Sequence, residues 1–544
     1  MPKLPSKSQK AARADRRLAG AALCAVGVVL VALGLRDSGS AAVAAGNGGW
    51  HLGEEDTTVE CNIERLRTPP DPKEFRTKYE FQRPFIVENW IEQAGMDTVP
   101  WTKAELVAKY GDVEVGVGAS NILPSAQGAW MDKYRLRDFV RNMMDGPNPA
   151  KVYMFDQDNF LTKNAKPLLV TIKVPDIIAK TMDPSNIGQH NGGIRTFTAL
   201  GATGSGALIH SHEDGWNLQI FGKKAWFLMP PKHQPPLAEL ANFEMGMPMD
   251  EWVRDVWPTV KRSTGKQSCT VNPGELIYIP EGWAHGTVNI GQGIGVAGQL
   301  NEPRSPCLKA QYNGEDALGE VKQLLQGAPT CSGKACSAKL APVLASLREN
   351  YERCGSNALA RSYAKALVMN GQRKAALAVA QATLRKEPRN IEAALTTSES
   401  LLAMDQPDEA AAVLTQCAEQ VGATSPTAGI MCSIRFADTL WKARSDGDQL
   451  SRAKLAQLEA AMRRVVSISK AQQERYAYIF AKREKLGKDA GTLNALVGVG
   501  QDFERRLREL STSKQPVAVA AAVQGGAEEG GDDETRDGDG DDDE

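Results

Sequence analysis

Gly274-Glu-Leu-Ile-Tyr-Ile-Pro280-Glu-Gly282-Trp-Ala-His285-Gly-Thr-Val-Asn289 is the stretch on which the reading of this chain turns. Its apolar start predicts a buried strand over 275–279, and Pro280-x-Gly282 ends that strand in a tight turn. As the chain re-enters a barrel, His285 points inward and Asn289 can tie down the following turn. A core histidine would satisfy the periodicity as well. It would not need the Pro-x-Gly turn before it.

A partner for His285 stands upstream, in Gly206-Ala-Leu-Ile-His210-Ser-His212-Glu-Asp214-Gly-Trp216-Asn217-Leu-Gln-Ile-Phe-Gly222-Lys-Lys224-Ala-Trp226-Phe-Leu-Met-Pro230-Pro231. On one strand, residues two apart share a face, so His210 and His212 can both meet an ion that His285 reaches from another strand. Three imidazoles suit Fe(II), Zn(II), Cu(II) or Mn(II) with coordination positions left open. Asp214 lies on the same face, which leaves His212-x-Asp214 as an alternative ligand pair. With Glu213 it is also a candidate acid/base, and Asp214 is the candidate catalytic carboxylate. His51, His190 and His233 have no partner at metal-ligand spacing and are expected at the surface. Trp216, Trp226 and Trp283 are expected in the barrel core.

The remainder of the 544 residues divides by texture. Lys3, Lys7, Lys10, Arg13, Arg16 and Arg17 precede an uninterrupted apolar run from Leu18 to Leu35, so residues 1–36 read as a signal peptide or signal-anchor. Left uncleaved, the run is just long enough to make a single-pass type II membrane protein, whereas cleavage near Ala41 to Ala45 would release a secreted one. Either outcome places the chain in the lumen of the endoplasmic reticulum or Golgi. Eight cysteines remain beyond Cys24, an even number that suits disulfides in that compartment. No Asn-x-Ser/Thr acceptor occurs. The net charge of −2 conceals a basic start and an acidic end, and no folded stretch is basic enough to bind nucleic acid.

Residues 37–57 read as a linker, and 58–304 as a strand-rich domain with helices at 103–110 and 135–144 packed outside. A Cys-containing linker is expected over 305–339. From 340 to 510 the pattern becomes helical, and Met369-Asn-Gly-Gln-Arg-Lys-Ala-Ala-Leu recurs about 35 residues later as Met404-Asp-Gln-Pro-Asp-Glu-Ala-Ala-Ala, a spacing similar to tetratricopeptide repeats. A plain helical bundle is the alternative. Residues 511–544 have an acid-rich composition that predicts disorder.

From about Val59 to about Asn301 the sequence resembles the JmjC-domain, cupin-like oxygenases, in the layout of the JmjC domain-containing protein 8 group. The resemblance is carried by the two histidine motifs, by Cys269-Thr-Val-Asn-Pro-Gly-Glu before His285, and by the opening Cys61-Asn-Ile-Glu and Arg83-Pro-Phe-Ile-Val. It implies an α+β chain in which a double-stranded β-helix precedes the tetratricopeptide-like helices, and it favours a Cys61–Cys269 disulfide. It also implies Fe(II) and 2-oxoglutarate as cofactors, a protein side chain as substrate, and recruitment of a protein partner through the helical C-terminal region. His210 and His285 match the first and last iron ligands, and spacing to Gly222 favours this register. His212 stands where the family places a carboxylate, so iron with 2-oxoglutarate would be formally neutral here rather than singly negative. Lys224 matches the lysine that pairs with 2-oxoglutarate, and Asn217 a polar residue of its pocket. Ala207 and Ala297 replace residues that often carry a hydroxyl. Beside the enzyme reading stand a catalytically inactive scaffold and a three-histidine dioxygenase or isomerase of small molecules.

Overall fold

The computed structural model describes residues 46–53, 59–119, 132–147, 151–157, 159–181, 194–231, 233, 248–325, 327–328, 330–331, 333–422, 429–447, 449–475 and 492–512. The signal or anchor, residues 37–45 and 54–57 of the following linker, His190 and nearly all of the acidic tail lie outside them. Among the described residues no helix is long and apolar enough to cross a membrane.

Among the described residues ten strands build the first domain: β1 (Glu64–Leu66), β2 (Phe85–Val87), β3 (Glu114–Ala119), β4 (Asp132–Arg135), β5 (Val152–Gln157), β6 (Ile194–Gly201), β7 (Gly215–Met229), β8 (Gln267–Val271), β9 (Leu276–Ile279) and β10 (Ala284–Leu300). They hydrogen-bond in the order β1-β2-β9-β7-β10-β6-β5-β3-β4, with β8 also on β7. Among the described residues only β1 and β2 pair in parallel, and every other pairing is antiparallel. β7 and β10 are long enough to serve two layers. The first half of β7 pairs with β9 and the second with β8, while the β7–β10 register slips around Ile290–Ile294.

Gly222 sits at that bend with φ +74°, and a Cβ there would lie 2.2 Å from the Gln292 carbonyl oxygen. Only glycine lets the two long strands turn together at this point. Beyond the bend β7 changes partners. Leu218 and Ile220 pack into the cluster around Trp101, Phe139 and Phe160, whereas Phe227 and Met229 pack with Met249 and Trp252. The expected outer helices are present as α1 (Lys103–Tyr110) and a helical stretch from Leu136 to Met144. A further helix, α2 (Met249–Asp255), follows β7.

The helical region comprises α3 (Pro306–Leu324), α4 (Lys334–Cys354), α5 (Asn357–Met369), α6 (Arg373–Lys386), α7 (Ile391–Leu402), α8 (Pro407–Gly422), α9 (Ile430–Ser445), α10 (Arg452–Arg475) and α11 (Thr492–Thr512). The linker expected over 305–339 is largely α3. Ser305 accepts from Leu308 N as its N-cap with Pro306 behind it, and its buried face packs on α4 and α5, a partnership that composition alone does not reveal. Consecutive helices pack on each other, and α5, α7 and α9 also touch in series, as stacked hairpins do. Ile391, Leu395 and Leu414 share one apolar cluster with Phe227, Met249 and Trp252, so the helices are packed onto the barrel.

All eight cysteines beyond Cys24 are paired: Cys61–Cys269, Cys307–Cys354, Cys331–Cys336 and Cys417–Cys432. The first is the bridge that the resemblance favoured. Four bridges in one chain suit an oxidising, lumenal or extracellular setting.

Candidate metal centre

The centre is built on backbone pairing. His210 N donates to His285 O at 2.9 Å and His285 N donates to His210 O at 2.7 Å, an isolated antiparallel bridge that sets the two side chains face to face. His285 is the second residue of β10. His210 and His212, expected on a regular strand, lie instead in an irregular segment, because β7 begins only at Gly215. His212 is held by its own carbonyl, which accepts from Gly282 N at 2.8 Å, so the Pro-x-Gly turn grips the loop carrying the second histidine.

The three rings converge. Their centroids are 4.5 Å (His210–His285), 4.6 Å (His212–His285) and 5.2 Å (His210–His212) apart, and one nitrogen from each lies within 4.8 Å of the other two. Each Nδ1 faces a backbone carbonyl: Leu208 O at 2.6 Å, Glu213 O at 2.6 Å and Trp283 O at 2.8 Å. A carbonyl can only accept, so each Nδ1 carries the hydrogen and each Nε2 keeps its lone pair. This is the tautomer a metal ligand requires. Burial reinforces it by lowering His210 to about 4 and His212 to about 3, the latter also opposed by its neighbour His210. Burial, then His210 and His212, hold His285 well below the ordinary histidine range. Three neutral imidazoles with free lone pairs fit a divalent transition-metal ion.

Behind the histidines lies a small cavity of about 50 Å³ inside the barrel, bordered by Asn217, Trp226, Thr287 and Lys224. Lys224 is only 3 % exposed, and among the described residues no carboxylate forms an ion pair with it. Burial lowers its ammonium to about 8. Asn217 Oδ1 is buried with no donor. An unpaired cation beside a donor-less carboxamide, in a pocket shared with metal-ligand nitrogens, fits a small co-ligand bearing carboxylates. Ala207 and Ala297 also border this cavity and offer it only methyl groups. Trp216, Trp226 and Trp283 are buried, as expected.

Asp214, expected as the catalytic carboxylate or an alternative ligand, is engaged elsewhere. It is fully buried, accepts a hydrogen bond from Tyr278 Oη, and receives Arg304 Nε at 2.8 Å. It is no part of the three-histidine cluster. Strand alternation, which placed it on the His210 face, does not apply where the segment is not a strand. Its neighbour Glu213 does face the site, with its carboxylate bound by Gln299 Nε2 at 2.8 Å and by the Tyr312 hydroxyl of α3. His51 is exposed, whereas His233, half-buried, borders the outer cleft described next.

That cleft, about 490 Å³, opens from His210 and His212 outward between barrel and helices, with Phe155, Arg195, Gln311 and Thr396 among its walls. Phe155 and Phe197 stack at 4.7 Å and border both cavities. Sequence reasoning missed Arg195, Gln299, Arg304 and Tyr312. Each lies outside the motifs and takes its role from a partner brought to it by the fold, so no local spacing could have singled it out.

Residues 72–297 match the family model of the cupin-like domain. The chain is 26% identical over 269 residues to JmjC domain-containing protein 8 of Homo sapiens, covering 48% of this chain and 91% of that protein. Its counterpart in Rattus norvegicus is 28% identical over 258 residues, 45% of this chain and 87% of that one. A bifunctional arginine demethylase and lysyl-hydroxylase of Caenorhabditis briggsae is 24% identical over 238 residues, 41% of this chain and 57% of that protein. The match to the family model ends before α3 begins.

Proposed function

We propose that the JmjC-type, cupin-like domain of this chain is an Fe(II)- and 2-oxoglutarate-dependent oxygenase that hydroxylates a protein side chain in the lumen of the secretory system. One observation carries the reading: three histidines whose Nε2 lone pairs are all left free share a pocket wall with a buried, unpaired lysine. In this reading His210, His212 and His285 hold the metal, and Lys224 with Asn217 receives a carboxylate of 2-oxoglutarate. When bound, the pair would activate O2 as the oxidant, one oxygen atom entering a C–H bond of the substrate and the other entering succinate as 2-oxoglutarate loses CO2.

The chain's own residues do the rest. The backbone carbonyls of Leu208, Glu213 and Trp283 fix the imidazole tautomers, and the bridge between His210 and His285 fixes their separation. Phe155 and Phe197 border both the inner cavity and the outer cleft and give that boundary an apolar face. The outer cleft is wide enough for a side chain with its flanking backbone, and α3, α5 and α7 form its far wall. In this reading the helical region recruits the protein substrate, and the place of α3, α5 and α7 along the cleft supports that role. The four disulfides and the basic-apolar N-terminus support a place in the endoplasmic reticulum or Golgi, held by Leu18–Leu35 if that run stays uncleaved.

His212 in place of a carboxylate favours one competing reading, a scaffold that keeps metal without turnover. The deciding experiment is to purify the chain without oxygen, measure bound iron, and follow conversion of 2-oxoglutarate to succinate. Iron at one per chain with succinate formation supports the oxygenase, and iron without succinate supports the scaffold. Absence of bound metal under saturating iron would remove both.

A further inference from the structure

The carboxylates that border the outer cleft are already engaged within the chain. Glu213 accepts from Gln299 and from the Tyr312 hydroxyl, Glu315 is paired with Arg361 at 3.0 Å, and Glu392 with Lys365 at 3.5 Å. Arg195 is the opposite case. It stands on β6 directly across from Gln299 on β10, a third of its side chain is exposed, and its ion pair with Glu213 is a loose one at 3.8 Å, too long for a hydrogen bond. Its Nε is buried and has no acceptor. Among the described residues the cleft therefore presents an under-satisfied guanidinium near His212 and no unpaired carboxylate.

A lysine or arginine side chain entering this cleft would lose its hydration, find the described carboxylates already paired, and meet both Arg195 and the metal charge. A side chain with a planar carbonyl would meet a fork of donors that matches it. We infer that the cleft selects a polypeptide side chain that bears a carboxamide or carboxylate and no positive charge, the class of asparagine and aspartate, with Arg195 as the specificity-determining donor. The helical region takes part in this choice, because Tyr312 of α3 occupies the Glu213 carboxylate that a cationic substrate would need. The inference rests on the oxygenase reading for the reaction that follows, but only on the cleft for binding.

The test uses the full chain loaded with Zn(II), which allows binding without turnover, and four extended glycine–alanine heptapeptides with asparagine, aspartate, lysine or arginine at the centre. Binding is followed by NMR line shifts or calorimetry. The asparagine and aspartate peptides are expected to bind about tenfold more tightly than the cationic ones. Arg195→Met is expected to abolish that difference, Arg195→Lys to keep part of it, and Arg195→Glu to reverse it, each checked by thermal melting for an intact fold. Equal or tighter binding of the lysine or arginine peptide, no binding of any peptide, or a preference unchanged in Arg195→Glu would overturn the inference. Succinate formation is measured separately, so an Arg195-dependent preference without turnover would sink the oxygenase reading and leave this one standing.

Discussion

His210 and His285 are backbone partners, each donating its N–H to the other's carbonyl, and their imidazole centroids lie 4.5 Å apart as a result. Two ligands that are 75 positions apart in sequence are thus held by sheet pairing rather than by a flexible loop. The third, His212, belongs to the same segment and is tied to Gly282. A site held in this way loses little conformational entropy when an ion binds.

Removing a ligand should therefore empty the site without unfolding the barrel. His285→Ala and His210→Ala are expected to lower bound iron from one per chain to near zero, read by elemental analysis, with the circular dichroism spectrum retained. His212→Asp restores a carboxylate, and it is expected to keep iron and raise succinate formation about tenfold. A fall in both quantities in His212→Asp would count against the ligand assignment.

Lys224 provides a prediction with a definite sign. Its ammonium is lowered from the ordinary 10.5 to about 8 by burial, so its charge is unwelcome in the empty fold. Above pH 10.5 neither folded nor unfolded chain carries it. As pH falls toward 8 the unfolded chain gains the proton first, and below 8 the full cost, about 3 kcal/mol at most, is present. Lys224→Met should accordingly stabilise the empty protein at pH 7 by up to about that amount in denaturant melts. It should also abolish 2-oxoglutarate binding, and in the unmutated chain that binding should weaken as pH rises above about 8.

Arg304 and Ser305 hold both halves of the metal site from the entrance to α3. Arg304 pairs with Asp214 at 2.8 Å and with Glu80 at 2.6 Å, and Glu281 accepts from the backbone N–H of Arg304 and, at 2.8 Å, of Ser305. Asp214 is two residues after His212 and Glu281 four before His285. Arg304→Gln leaves Asp214 buried without its cation, and is expected to cost about 3–5 kcal/mol in stability and about 10- to 100-fold in metal affinity. Arg304→Lys should recover part of both. Unchanged metal affinity in a folded Arg304→Gln chain would refute the positioning role.

The Cys61–Cys269 bridge joins the start of the domain to β8 across 208 residues. Replacing both cysteines by serine is expected to cost about 2–5 kcal/mol, measured as a lower midpoint of thermal or denaturant unfolding. Since β8 pairs with β7 and not with the ligand segment, the iron content of the folded fraction should stay near one per chain.

Where local chemistry decides, the chain could be read directly. The strand over Leu276–Ile279, the turn at Pro280-Glu-Gly282 and the inward His285 follow from residue types at fixed spacing, and the structure has all three. The structural reason for Gly222, a positive φ at the bend that excludes other residues, emerged only from the fold. The helix over Pro306–Leu324 was missed, because its apolar face is sparse and its stability comes from α4 and α5. The stacked hairpins from α5 to α8 match the 35-residue recurrence, although recurrence and stacking do not by themselves identify the repeat type.

Asp214 marks the boundary between the two kinds of information. By itself the sequence determined a strand-rich domain and three histidines, because strand periodicity, turn chemistry and ligand spacing are local and leave a pattern in residue order, while Lys224 and the double-stranded β-helix came from the resemblance those motifs carry. Only the tertiary structure decided that Asp214 serves Arg304 and Tyr278 instead of the metal, that Arg195 is left with an unsatisfied donor, and that α3 closes the cleft with Tyr312 on Glu213. A carboxylate binds whichever cation the fold brings to it at about 3 Å, and partners that are 90 residues apart leave no mark on the spacing of either.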